Sequence, residues 1–206
     1  MKFQEGQVYH VFNQGNNRKR IFFEDENYLY FLRKFRKCLL PYSDILCYCL
    51  MPNHFHLLLM PNEKAAKPSK AIKPLTINNS NDSAEYDNQE KLSQAIGTML
   101  SSYSKAVNRR YQRSGSLFRG KTKVKDGWID EVISVEGKNK ELFFRPDNDH
   151  ALQCFHYIHQ NPVKANLVTK ATDWVYSSAR DYAGLRNGTL CNLALGREML
   201  GILNKG

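Results

Sequence analysis

The residues with chemistry to offer lie in two short runs. One is Met51-Pro52-Asn53-His54-Phe55-His56-Leu57-Leu58-Leu59; the other is Phe155-His156-Tyr157-Ile158-His159-Gln160-Asn161-Pro162-Val163-Lys164-Ala165. Side chains alternate faces along a strand, so His54 and His56 point one way and Phe55 the other. Two imidazoles on one sheet face can grip a divalent cation. The same residues also fit an edge strand that carries two histidines and binds nothing. In the second run, Tyr157 and Asn161 are spaced to share one face of a helix. A tyrosine hydroxyl can act as a nucleophile and hold a covalent intermediate. With a free pKa of about 10 it is weak, and needs activation or a strongly electrophilic target. A phosphodiester polarised by a metal is such a target. An amide oxygen one turn further on can complete the shell of a hard cation. The competing reading of Tyr157 is a half-buried core aromatic.

Residues 7–12 are rich in Val, Tyr and Phe and read as a first strand, followed by a turn over residues 13–17. Residues 25–40 place Tyr28, Leu29, Leu32, Phe35 and Leu39 near helical spacing, with Pro41 after the end. Two apolar runs, 44–50 and 54–60, flank Met51-Pro52-Asn53 as a hairpin. Residues 89–112 return to helical spacing, with Leu92, Ile96, Met99, Leu100, Tyr103 and Val107 on one side. A strand is expected within 117–124. Another helix is expected over 147–159, capped by Asp147 or Asn148 and ended by Asn161-Pro162. The order strand, helix, strand, strand, helix, strand suits an α+β, ferredoxin-like sandwich with a central antiparallel sheet and flanking helices. In that sheet the first and third strands are central neighbours. His10 then lies near the histidine pair, as a structural or substrate-contacting group rather than a third ligand.

The chain of 206 residues reads as a single domain. Residues 62–88, rich in Lys, Asn, Ser and Pro, read as a flexible insertion, and 170–206 as a C-terminal extension packed on the domain. Thirty Lys and Arg against twenty Asp and Glu give a net charge of +10, which suits a polyanionic partner. The basic residues cluster. Asn16-Asn17-Arg18-Lys19-Arg20 is one knot. Lys105, Arg109, Arg110, Arg113, Arg119, Lys121, Lys123 and Lys125 form a second, interleaved with Tyr103, Tyr111 and Phe118. Cations among aromatics suit a single strand, which needs phosphate pairing and faces for base stacking. No apolar run approaches a membrane span and the N-terminus does not read as a signal peptide, so a cytoplasmic protein with no membrane partner is expected. The five cysteines, Cys38, Cys47, Cys49, Cys154 and Cys191, lack zinc-site spacing, and no disulfide is expected.

The chain resembles the REP-associated tyrosine transposases, within the HUH single-tyrosine transposases of small insertion sequences. Four blocks carry the resemblance: Tyr9-His10-Val11-Phe12-Asn13-Gln14-Gly15-Asn16-Asn17, the run from Met51 to Leu59, Gly115-Ser116-Leu117-Phe118-Arg119-Gly120-Lys121, and the run from Tyr157 to Ala165. Trp174, Ser177, Ser178 and Tyr182 add a weaker fifth. The resemblance implies a metal-dependent single-stranded DNA endonuclease and strand transferase, acting beside hairpins and associated with the nucleoid. It implies that His54 and His56 bind Mg2+ or Mn2+, with Asn161 as a further metal ligand. Tyr157 would take up a 5′ phosphate and leave a free 3′ hydroxyl. Homodimerisation falls within the same expectation. The segments 62–88 and 126–145 are longer than the pattern expects.

Two other classes stay open. A non-catalytic or domesticated single-stranded or hairpin nucleic-acid-binding protein would need the basic surface but not the quartet His54, His56, Tyr157 and Asn161. A hydrolase with His10, His54 and His56 as ligands would use an activated water and survive the loss of Tyr157.

Overall fold

In the computed structural model, residues 3–65, 91–126 and 150–202 are described. The strands are β1 (Tyr9–Gln14), β2 (Ser43–Met51), β3 (His54–Pro61) and β4 (Lys123–Asp126); the helices are α1 (Asp25–Cys38), α2 (Lys91–Arg110), α3 (His150–Lys164), α4 (Ala179–Tyr182) and α5 (Leu193–Met199). The four strands form one antiparallel sheet in the order β2-β3-β1-β4. With one helix between β1 and β2 and another between β3 and β4, this is the ferredoxin-like arrangement expected from the element order.

Alternation along β3 divides the core. Phe55, Leu57 and Leu59 face α1 and α2, where Phe31, Phe35, Ile96, Met99 and Tyr103 are buried against them. Leu58 faces the other way, toward Cys154, Phe155 and Ile158 of α3. The sheet is therefore covered on both faces, and β2 is buried along nearly its whole length, as a doubly covered strand should be. Helix α1 forms where Asn27, Tyr28, Phe31 and Phe35 recur at helical spacing, with Asp25 and Glu26 in its first turn and Arg36 and Lys37 in its last, complementing its dipole.

The two-residue turn Pro52-Asn53 is tied to the chain after β1. Gly15 N–H donates to the Asn53 carbonyl (2.8 Å), and the Ile21 and Phe22 amides donate to the Pro52 carbonyl (2.9 and 3.1 Å). Gly15 is required there, because a Cβ would collide with the Lys19 carbonyl.

Helix α3 does not end at Asn161-Pro162. It runs on to Lys164, with Pro162 buried inside it. A proline forfeits one backbone bond, but burial of its ring and the bonds beyond it carry the helix on. Ala165 N–H donates to the Asn161 carbonyl (3.0 Å) and Leu167 N–H to the Pro162 carbonyl (2.9 Å). The chain leaves the helical region at Asn166, whose φ is 54°. The strand expected within 117–124 is Lys123–Asp126; Leu117 and Phe118 are buried ahead of it, with Phe118 bridging Gly15. The cap expected at Asp147 or Asn148 lies outside the described residues.

Residues 174–178 cover the open edge of β2. Leu50 N–H donates to the Tyr176 carbonyl (3.0 Å), Ser178 N–H to the Tyr48 carbonyl (3.0 Å), and the Trp174 indole to the Leu50 carbonyl (2.9 Å). Covering an edge in this way removes a site for unwanted pairing. The segment is held by Asp181, buried, whose carboxylate takes two hydrogen bonds from Arg186, each 2.7 Å. The same guanidinium reaches the Ser177 and Val175 carbonyls and Tyr48 Oη. Breaking a buried pair leaves a charge without its partner, at a cost of about 3–5 kcal/mol. Arg186→Ala should therefore lower the melting temperature by roughly 6–20 °C. A thermal scan showing a change of less than about 3 °C would contradict this.

The start of the expected insertion is not loose. Ala65 is fully buried, and residues 62–65 form a turn bonded to the Tyr42 carbonyl. Leu92 N–H meets the Ala65 carbonyl at 3.3 Å, so the chain ends flanking 66–90 lie side by side. Replacing 67–88 by a short Gly-Ser link should move the melting temperature by less than about 4 °C, and deleting from 62 should cost clearly more. Equal losses in thermal melts would overturn the distinction. Among the described residues no helix is long and apolar enough to cross a membrane.

Candidate active site and nucleic-acid interface

His54 and His56 share the α3 face of β3, opposite Phe55, as alternation requires. Across the sheet, β1 sets Gln14 beside His54, Phe12 beside His56 and His10 beside Leu58. The expectation that His10 lies near the pair is met more closely than proximity alone: its Nε2 is 2.9 Å from His56 Nδ1. His54 Nδ1 is 2.6 Å from Asn53 Oδ1.

Helix α3 lays Tyr157 over this row. The phenol ring stands edge-on to His56, with centroids 5.3 Å apart. Asn161 follows one turn later, its amide donating to the Tyr157 carbonyl (2.9 Å). Burial pushes His54 down to about 4, with the Asn161 amide raising it part of the way back. Burial raises the Tyr157 hydroxyl, and the same amide pulls it the other way. Asn161 therefore acts on both groups. Burial holds His56 well below the ordinary imidazole range. Both rings are neutral at pH 7, the form that ligates metals.

The continuation of α3 past Pro162 adds a group that the sequence reading missed. Lys164, a further turn beyond Asn161, sets its ammonium 5.1 Å from the centre of the Tyr157 ring. A cation there offers a partner to an anionic phosphate. Tyr157, Asn161 and Lys164 repeat at helical spacing, and only the expected helix end at Pro162 hid the third member.

The divalent cation implied by the resemblance fits these residues. His56 Nε2 is buried without a hydrogen-bond partner, and so is Gln14 Oε1 on the same sheet face. Buried polar atoms are rarely left so. Among the described residues no three His, Cys, Asp or Glu side chains converge on a metal position, and His10 turns its Nε2 to His56 Nδ1, which disfavours the trio His10, His54 and His56 as a ligand set. The donors to hand are two imidazoles with the amide oxygens of Asn161 and Gln14, a set suited to a hard cation that keeps room for phosphate oxygen.

The residues expected to bind nucleic acid divide into two groups. Asn16, Asn17 and Arg18 are exposed in the short turn after β1, which is bonded to the hairpin tip and to Leu117. Arg119 and Lys121 are exposed on the strap whose Arg119 N–H bonds the Gln14 carbonyl (2.9 Å). Lys123 pairs with Phe12 and lies 6.0 Å from its ring, on the histidine face. These six rim the end of the sheet where His54 sits. Lys105, Arg109, Arg110 and Arg113 belong to α2 and its C-terminal end, on the other face. Arg110 is paired with Glu24 (2.5 Å), and Arg113 lies over Phe23. The aromatics among them do not offer faces for bases. Tyr103 is fully buried with its hydroxyl on the Ile21 carbonyl, Phe118 is buried, and Tyr111 donates to Glu24. Helical periodicity put Tyr103 in the core, and the core won.

No protein-family model and no curated protein matches the chain. A solved structure of a REP-associated tyrosine transposase bound to a REP hairpin aligns with 93% of this chain and 92% of its own, with a TM-score of 0.53 and 13% sequence identity. At that identity the likeness is one of fold. The chain thus shares the α+β architecture of that transposase, with its four-stranded antiparallel sheet and flanking helices.

Proposed function

We propose that this protein is a metal-dependent enzyme that nicks and rejoins single-stranded DNA beside a hairpin. The observation that carries the reading is the Tyr157 phenol set edge-on to His56, 5.3 Å between centroids, with Asn161 acting on both Tyr157 and His54. Tyr157 does pack half-buried against the core, but neither that packing nor nucleic-acid binding alone requires Asn161 to act on both its hydroxyl and His54. The hairpin held by the transposase of like fold supports the choice of DNA.

His54 and His56, through Nε2, and the Asn161 amide oxygen would hold Mg2+ or Mn2+. When bound, the cation polarises the phosphate and stabilises the charge that builds on it. Tyr157 Oη attacks the phosphorus. The P–O bond to the 3′ oxygen breaks and the P–O bond to tyrosine forms. The phenol gives up its proton, and the departing 3′ oxygen gains one. The product is a 5′-phosphotyrosine and a free 3′ hydroxyl. Because one ester replaces another, a 3′ hydroxyl can reverse the step and rejoin the strand without ATP. The exposed amides and cations beside the hairpin tip, Asn16, Asn17 and Arg18 with Arg119, Lys121 and Lys123, hold the phosphates on either side.

The test is covalent capture. A labelled hairpin with a single-stranded tail, incubated with protein and Mn2+, should give a protein–DNA band on a denaturing gel, absent in excess chelator. A pure binding protein gives no such band, and a water-activating hydrolase gives cleavage without it. Affinity for the tailed hairpin should exceed that for blunt duplex at equal salt and fall steeply as salt rises. Equal affinities in a titration would remove the hairpin preference.

A further inference from the structure

We propose that His10 is the positioning residue that fixes the tautomer of His56, so that His56 presents a bare lone pair on Nε2 to a divalent cation; the last clause rests on the metal site proposed above. His10 Nε2 and His56 Nδ1 are 2.9 Å apart, and both rings are buried, at 2% and 1% exposure. One hydrogen lies between the two nitrogens, and neutral imidazole allows two arrangements.

In the first arrangement His10 donates. His56 then carries its proton on Nε2, and a protonated nitrogen holds no metal. In the second, His56 Nδ1–H donates to His10, whose own proton then sits on Nδ1. His56 Nε2, buried with no hydrogen-bond partner, is then an open acceptor that a cation can fill. Burial alone does not choose, because each arrangement leaves one proton on a buried outer nitrogen; the cation chooses, and His10 is the acceptor at Nδ1 that lets it.

His54 repeats the pattern. Its Nδ1 lies 2.6 Å from Asn53 Oδ1, an oxygen that only accepts, while the other end of that amide donates to the Arg18 carbonyl (3.3 Å). Both candidate ligands are therefore tied at Nδ1; His56 is open at Nε2, and His54 has the Asn161 amide as a second neighbour. The His10 ring is held in turn, stacked on Phe12 at 4.7 Å and on His56 at 5.0 Å between centroids. Outer-shell partners of metal-bound histidines act in this way, and their loss lowers metal affinity about 10- to 100-fold.

The test reads the tautomer directly. Two-bond 15N–1H spectra of histidine-labelled protein in saturating Mg2+ should show His56 protonated on Nδ1. His10→Phe keeps a ring of similar size and removes the acceptor; Mn2+ affinity, followed by paramagnetic resonance, should fall about 10- to 100-fold. His10→Gln restores an acceptor oxygen and should recover most of that loss. A His56 protonated on Nε2 in the wild type overturns the proposal, as does an unchanged Mn2+ affinity in His10→Phe. The wild-type spectrum decides the tautomer even if the Phe variant does not fold. A correct tautomer in a wild type that binds no Mn2+ would sink the metal site and leave the His10 hydrogen bond standing.

Discussion

Tyr157→Phe should abolish both strand cleavage and the covalent protein–DNA band, while the melting temperature stays within about 3 °C of wild type. The change removes one oxygen. Among the described residues the hydroxyl interacts with Asn161 of its own helix and ties no other element in place; the contacts that seat the residue are ring contacts, edge-on to His56 at 5.3 Å and to His10 at 6.5 Å. A phenyl ring keeps both. What it lacks is the proposed nucleophile, and among the described residues neither other candidate tyrosine stands nearby. Tyr103 is sealed in the core on the opposite face, and Tyr111 donates to Glu24 at 2.6 Å. Tyr103→Phe and Tyr111→Phe should therefore keep the band. Binding of the tailed hairpin by Tyr157→Phe should change little, because phosphate contacts come from the basic rim. Peptide mapping of the wild-type adduct gives a second reading. A 5′ phosphate found on any other tyrosine, or an adduct formed by Tyr157→Phe, would show the assignment to be wrong.

The parts of this site that were legible in the sequence are those set by local periodicity. Alternation alone put His54 and His56 on one face, and helical spacing alone put Asn161 one turn after Tyr157. The order of elements, together with the usual pairing of such a sheet, placed His10 near them. Less could be read wherever distant packing overrides a local rule. Pro162 stops most helices, but here its buried ring and the following turn carry α3 on to Lys164, next to Tyr157. Tyr103 lies in a basic, aromatic stretch that suits base stacking, yet its position on the apolar side of α2 commits it to the core. The hydrogen bond between His10 and His56 depends on the register of two strands far apart in the chain, which no local pattern encodes. The same holds for residues 174–178 on the edge of β2: Trp174 and Tyr176 marked a packed segment, but not which edge it would cover.

His56→Leu should cost all detectable cleavage and leave the metal-free fold near wild-type stability. Two terms oppose each other in stability. The variant removes a buried nitrogen that has no partner, which favours the folded state. It also strips His10 Nε2 of the hydrogen bond at 2.9 Å, which disfavours it. Leucine roughly fills the volume, so no large cavity term enters. Function does not balance in the same way, because leucine offers no lone pair and the cation loses a ligand. The difference is measurable without any DNA. A ligand that binds only the folded state stabilises it by about 2.7 kcal/mol when present at a hundred times its dissociation constant. In a domain of this size that corresponds to a rise in melting temperature of roughly 5–11 °C. Wild-type protein should show that rise with Mn2+, and His56→Leu should show none. His54→Ala should behave in the same way toward Mn2+, with tailed-hairpin binding largely kept in both variants. A wild type that does not respond to Mn2+, or a His56→Leu protein that still responds and still cleaves, would place the metal elsewhere or remove it from the mechanism.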